Sequence, residues 1–310
     1  MSSRRKGDSF RGNRKDNGWT LKSFSIIVNA DDYGYSEGVS RGILDLARRG
    51  IVTATGVLAN SPCFDAHVTS LLSVPQVDVG VHLNLTTGRP LTSRLASLLV
   101  RSGGEFPKKK YGLALSILSG GIDPSIVEEE WDAQIRRCRD AGLKIWFLNS
   151  HEHLHMLPPL YRVIRQLAER HGIDFIRHTR AEWFGVPKPG SLARNSVLQI
   201  LDWLNRGGSG HTVPILLGVS PSGKLDLKYL ERRLATLHRG QVYELMCHPG
   251  QPIAGEELDP RLYAYHDWEG ELYALLCAEK LGLFKDCRIG FRDLASLGKP
   301  LTGSDAAISR

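Results

Sequence analysis

Phe24-Ser25-Ile26-Ile27-Val28-Asn29-Ala30-Asp31-Asp32 is an apolar, β-branched run that ends in two adjacent carboxylates. Its apolar part, Phe24 to Val28, has the length and composition of a buried strand. The design recurs along the chain: buried strands are expected at Val52–Leu58, Val77–Leu83, Ile145–Leu148, Ile173–Ile176, Val213–Val219 and Val242–Cys247. Charged stretches of helical spacing lie between them, at Glu37–Arg49, Ser125–Ala141, Pro159–His171, Leu225–Leu237 and Glu269–Leu281. Such alternation predicts an α/β fold in which a parallel sheet is wrapped by helices, open or closed as a barrel. Ser102–Tyr111 and Gly185–Gly190, rich in Gly and Pro, read as long loops.

Several of these strands end in a group with chemical potential. The first runs into Asp31 and Asp32, the third carries His82 before Asn84, the fourth runs into His151, the fifth into Arg177 and the last into His248. In parallel α/β folds the carboxyl ends of the strands form one rim, where residues distant in sequence meet. Five reactive termini on five strands therefore predict one convergent site.

The segment Asn149-Ser150-His151-Glu152-His153-Leu154-His155 strengthens that expectation, because a neutral ring nitrogen binds divalent ions near neutral pH. If extended, it would line one face with all three histidines; in a loop it would not. The Asp pair fits the same chemistry. One carboxylate can bind a cation while the other takes a proton from water, and an Asp with two His ligands is a recurrent hydrolytic metal site. His82 and His151 are the natural imidazole partners. An extended backbone would point Asp31 and Asp32 to opposite sides, whereas a turn would bring both inward.

Together, Ile27 to Gly34, Gly50 to Thr55, Gly80 to Thr86, Ser150 to His155 and Glu244 to Pro249 resemble the carbohydrate deacetylases of the YdjC type. The resemblance spans about residues 24 to 296 and implies a distorted (β/α) TIM-like barrel, a single domain with loop insertions. It also implies removal of an N-acetyl group from an amino sugar, oligosaccharide or glycoconjugate with a divalent cation, usually Mg2+, with Zn2+ as the alternative. Carried over by position, Asp32, His82 and His151 are metal ligands and Asp31 is the general base. His248 protonates the leaving amine, and Arg177 orients Asp31 or steadies the oxyanion. Many relatives carry Asp at the position of Asn149 and Asn at that of Ser40, which bears on substrate choice. Tyr33, Trp183, Tyr265 and Trp268 are candidates for stacking on sugar rings. Other metal-dependent sugar chemistry, such as isomerisation or phosphoester hydrolysis, and saccharide binding without turnover are the competing readings.

Composition narrows the setting. Residues 1–22 hold Arg4, Arg5, Lys6, Arg11, Arg14, Lys15 and Lys22 against Asp8 and Asp16, so +5 of the chain's net +7 lies there. The remainder is nearly neutral, and nothing in it requires a nucleic acid partner. Residues 1–22 read as a disordered basic tail, 23–299 as the barrel domain and 300–310 as a flexible C-terminal tail. No apolar run approaches the roughly 18 residues of a membrane span. The five cysteines are widely spaced with no Cys-x-x-Cys pair, which fits reduced thiols in a cytoplasmic protein, with Cys247 a small apolar filler. A homodimer is left open.

Overall fold

A computed structural model describes residues 24–100, 103–106, 110–184, 189–205, 214–256 and 260–298. The proposed tails at 1–22 and 300–310 lie outside them. Seven parallel strands form one sheet: β1 (Ser25–Tyr33), β2 (Ala54–Val57), β3 (Asp78–Leu83), β4 (Ile145–Ser150), β5 (Phe175–Ile176), β6 (Ile215–Leu217) and β7 (Val242–Cys247). Their order is β5-β4-β3-β2-β1-β7-β6. β1 to β5 pair in sequence, as do β6 and β7, and β1 pairs with β7, the order of a barrel opened at one place. The open seam falls between β5 and β6, where Leu198 of the helix Pro189–Leu204 clusters with Leu216, Val219 and Met246. The expected distorted (β/α) barrel is thus present as a curled half-barrel.

Strand alternation divides the interior from the helical layer. Ile26, Val28 and Ala30 of β1 join the main apolar cluster beneath the helices, as do Val79, Val81 and Leu83 of β3 and Tyr243, Leu245 and Cys247 of β7. The intervening residues face the other way, because successive side chains of a strand point to opposite faces. On that inner side Ile27, Ala54, Phe147 and Phe175 meet Ile289, Phe291 and Leu294, and the Phe147 and Phe291 rings stack with centroids 4.4 Å apart. The closing helix, Phe291–Gly298, thereby plugs the floor of the barrel. It is tied to the foot of β3 by Asp78, whose side chain accepts from the Arg292 backbone N–H at 2.9 Å and from the Arg292 guanidinium. Gly80 makes the floor possible: a Cβ there would stand 2.5 Å from the Phe147 ring.

The helices at Glu37–Arg48, Pro124–Asp140, Pro158–Arg170, Leu227–Leu234 and Trp268–Lys280 stand close to their expected positions. The first is capped by the Ser36 hydroxyl, which accepts from the Val39 N–H at 3.2 Å. Two expected loops are partly helical. Lys110–Leu118 begins within Ser102–Tyr111, and Pro189–Leu204 begins within Gly185–Gly190, where Pro at the first helical position favours a start. β5 and β6 are shorter than their apolar runs. All five cysteines are free thiols, and Cys247 is buried in the outer face of β7. Among the described residues no helix is long and apolar enough to cross a membrane.

Candidate active site

The rim collects every residue singled out from the strand ends. In β1, pairing to β2 slips between Ala30 and Tyr33, and Asp32 adopts a left-handed backbone at φ 69°. This bulge answers the question posed by the adjacent carboxylates: the extra residue turns Asp32 to the side that Asp31 already faces. Such a conformation is costly for most residues and least so for Asp and Asn. The following turn is fixed by Ser40, whose hydroxyl accepts from Gly34 N–H at 3.0 Å and donates to the Ser36 carbonyl at 2.7 Å.

A continuous set of buried polar contacts then crosses the barrel. Asn29 Nδ2 donates to Glu244 Oε1 at 2.7 Å, and Arg177 donates to the same oxygen through Nε at 2.8 Å and Nη2 at 2.6 Å. The guanidinium also donates to Asp31, from Nη1 to Oδ2 at 2.5 Å and from Nη2 to Oδ1 at 3.0 Å. Asn149 Nδ2 donates to Asp31 Oδ1 at 2.9 Å, and Asn149 Oδ1 lies 2.8 Å from His82 Nδ1. His82 Nε2 is 3.2 Å from Asp32 Oδ1, and His151 Nδ1 is 3.0 Å from the same oxygen. Gly56 leaves the room this requires, since a Cβ there would stand 3.3 Å from Asn149 Oδ1 and 3.2 Å from His82 Cβ.

Asp32, His82 and His151 each present a ligand-capable atom, all within 4.8 Å of one another. The His82–Asp32 contact bears on whether these groups suit a cation. Asp31 is an acceptor, so Asn149 must turn its NH2 toward it and its oxygen toward His82, whose Nδ1 then carries the proton. His82 Nε2 is left facing a carboxylate oxygen, so a positive centre, a proton or a metal cation, belongs between them. Asp31, Asp32 and Glu244 set three buried carboxylates against the single Arg177 guanidinium. The donor set thus fits a divalent ion.

Electrostatics separate the two aspartates from the histidine opposite. Burial would raise Asp31, but the adjacent Arg177 and His82 outweigh it and hold its carboxyl at about 2. Burial acts likewise on Asp32, which His151 and His82 keep well below the usual carboxylate range. For His248 burial opposes the charged ring, yet Glu271, Asp32 and Asp31 push it up to about 9. Glu271, itself buried, accepts the His248 backbone N–H at 2.5 Å and has an oxygen 3.8 Å from the ring's Nδ1.

The histidine segment is neither extended nor a simple loop. His151–Met156 is a 3-10 turn with Glu152 and His153 both at positive φ, so alternate residues do not share a face. His151 joins the site, whereas His155 is structural: its Nε2–H donates to the Arg177 carbonyl at 2.8 Å, and Nδ1 pairs with the Ser150 hydroxyl at 2.7 Å. His153 Nδ1 lies 3.2 Å from Thr179 Oγ1. Of the proposed stacking aromatics, Tyr33 and Trp268 are core residues, while Trp183 and Tyr265 are exposed. Sequence reasoning missed Asn29, Glu244 and Glu271. A Glu inside the apolar run Val242–Cys247 was the available signal, since an acid on the inner face of a buried strand needs a charged partner.

The half-barrel with a carboxylate–imidazole rim at its strand ends defines an α/β-barrel protein with an active-site-like centre. Residues 25–284 match the model of the YdjC-like protein family, and the chain belongs to that family. It is 32% identical over 226 residues to a carbohydrate deacetylase of Geobacillus stearothermophilus, covering 72% of this chain and 78% of the relative. It is 39% identical over 167 residues to carbohydrate deacetylase 1 of Listeria innocua, covering 54% of this chain and 66% of that one. The fold is shared with an Enterococcus faecalis V583 protein provisionally described as a cellobiose-phosphate cleavage protein, with a TM-score of 0.63 and 23% identity over 88% of this chain and 99% of that one.

Proposed function

We propose that the protein is a metal-dependent hydrolase that removes the N-acetyl group from an amino sugar, oligosaccharide or glycoconjugate. The observation that carries this is the convergence of Asp32, His82 and His151, with His82 Nε2 at 3.2 Å and His151 Nδ1 at 3.0 Å from the same Asp32 oxygen, and the activity named for the relatives supports the acetamide as substrate. A divalent ion held by these three residues would supply Lewis acidity, polarising the amide carbonyl and acidifying the attacking water.

The protein's own groups divide the proton transfers. Asp31, ionised at neutral pH and locked by Arg177 and Asn149, stands as acceptor for the water proton. Arg177 spends four hydrogen bonds on Asp31 and Glu244, so orienting Asp31 is the role its geometry favours. His248, protonated at neutral pH, stands as donor to the departing amine.

Acetate release from a panel of N-acetylated amino sugars, with Mg2+, Zn2+ or Mn2+ added, tests the proposal. Release that stops on chelation and returns with the ion is expected; turnover unaffected by thorough chelation contradicts it.

A further inference from the structure

Two helices carry apolar side chains on the side that the fold leaves bare. The seam helix Pro189–Leu204 packs Leu198 inward, yet Val197, Ile200 and Leu204 recur at helical spacing on its outer side, each at least half exposed, with Trp203 65% exposed beside them. Its two charged residues are both spent elsewhere: Asp202 is buried against His178, and Arg194 donates to the Val219 and Ser220 carbonyls. The helix Lys110–Leu118 repeats the pattern, burying Leu113 and Ile117 while Tyr111, Leu115 and Leu118 are each more than half exposed. Apolar helix faces are ordinarily laid against a core; left bare, they mark a surface that docks on something else.

Charge narrows what that is. Residues 101–118 carry Arg101, Lys108, Lys109 and Lys110 against Glu105, a net +3, and residues 183–206 carry Lys188, Arg194 and Arg206 against Asp202, a net +2. Residues 1–22 add +5, so these three stretches exceed the chain's whole net +7 and the remainder stands at −3. Positive charge thus flanks both bare helices in sequence, and their occupant must be anionic as well as apolar. We propose that the two helix faces dock on a lipid bilayer with anionic head groups, their apolar side chains entering the head-group boundary while the flanking lysines and arginines pair with lipid charge. Trp203 and Tyr111 are aromatics of the amphipathic kind that such a boundary favours. A second copy of the chain is the poorer occupant, because an isologous contact would set each cationic flank against its own image. No described helix is long and apolar enough to cross a membrane, and the proposed contact lies in the plane of the interface.

The test sediments the full chain with vesicles of phosphatidylcholine and phosphatidylglycerol, and with vesicles of phosphatidylcholine alone. It needs no turnover, so its result stands apart from that of the hydrolase proposed above. Wild type is expected to bind the mixed vesicles and not the neutral ones, and to be released in about 1 M salt, where the screening length falls to about 3 Å. Replacing the lysines together, as Lys108→Gln, Lys109→Gln and Lys110→Gln, is expected to weaken vesicle binding by roughly 10- to 100-fold. Ile200→Glu with Trp203→Glu is expected to weaken it by at least roughly 10-fold. Should that pair fail to fold by circular dichroism, Leu115→Glu and the glutamine variant decide in its place. Wild type that ignores the mixed vesicles overturns the proposal, as does binding that every variant retains in full, which would assign the attraction to residues 1–22 alone. A wild-type dimer that the glutamates split and that ignores vesicles would give both faces to a second copy instead, and overturns it too.

Discussion

The floor and the rim of this barrel are built from the same strands and differ in almost every physical respect. Ile27, Asn29 and Asp31 climb one face of β1 from an aromatic plug to a chain of charges, and Phe147 and Asn149 do the same on β4. Below, stacked rings exclude water and contribute stability in proportion to apolar area. Above, three carboxylates, a guanidinium and several imidazoles are held in fixed geometry out of water, which costs desolvation and is repaid only while every partner is present. Two residues along a strand thus separate a layer that holds the fold from one that holds the candidate site.

Substitutions on each side should break this contrast if it is wrong. Arg177→Met strands Asp31 and Glu244 without their cation, so it should cost about 3–5 kcal/mol in urea unfolding and abolish acetate release as well. Phe147→Ala, at a fully buried ring, should cost about 3–5 kcal/mol of stability too, while turnover per folded molecule stays near wild type. Equal losses of turnover in both variants would erase the division between floor and rim.

A smaller effect sharpens the rim alone. His248 rises from 6.5 to about 9 on folding, so the folded state binds the extra proton. Its contribution, up to about 3 kcal/mol, is fully present below 6.5 and lost as pH rises through about 9. Thermal melts of metal-free protein should therefore fall across that window, and His248→Gln should flatten the slope. An unchanged slope in the variant would remove the charged ring from the account.

The rim was legible because reactive residues at strand ends stand out against apolar runs: Asp31, His82, His151, Arg177 and His248 all meet there. What escaped was set by tertiary partners. Glu244 and Asn29 make sense only once Arg177 arrives from β5, and no sequence pattern marks Asp32 for a left-handed backbone. The closing helix at Phe291–Gly298 and the seam helix at Pro189–Leu204 were missed because their role is to fill gaps in a sheet whose curvature the sequence does not display. His155, which the sequence already inclines toward a structural role, is placed in the scaffold by its hydrogen bonds to Ser150 and the Arg177 carbonyl.

The central claim is that Asp31 takes a proton beside a cation held by Asp32, His82 and His151. Acetate release from an N-acetylated amino sugar should therefore be compared, under identical metal loading, between wild type and Asp31→Asn. The account predicts a fall of roughly 100- to 10,000-fold in turnover with metal binding retained. An Asp31→Asn variant that frees acetate as fast as wild type would contradict it.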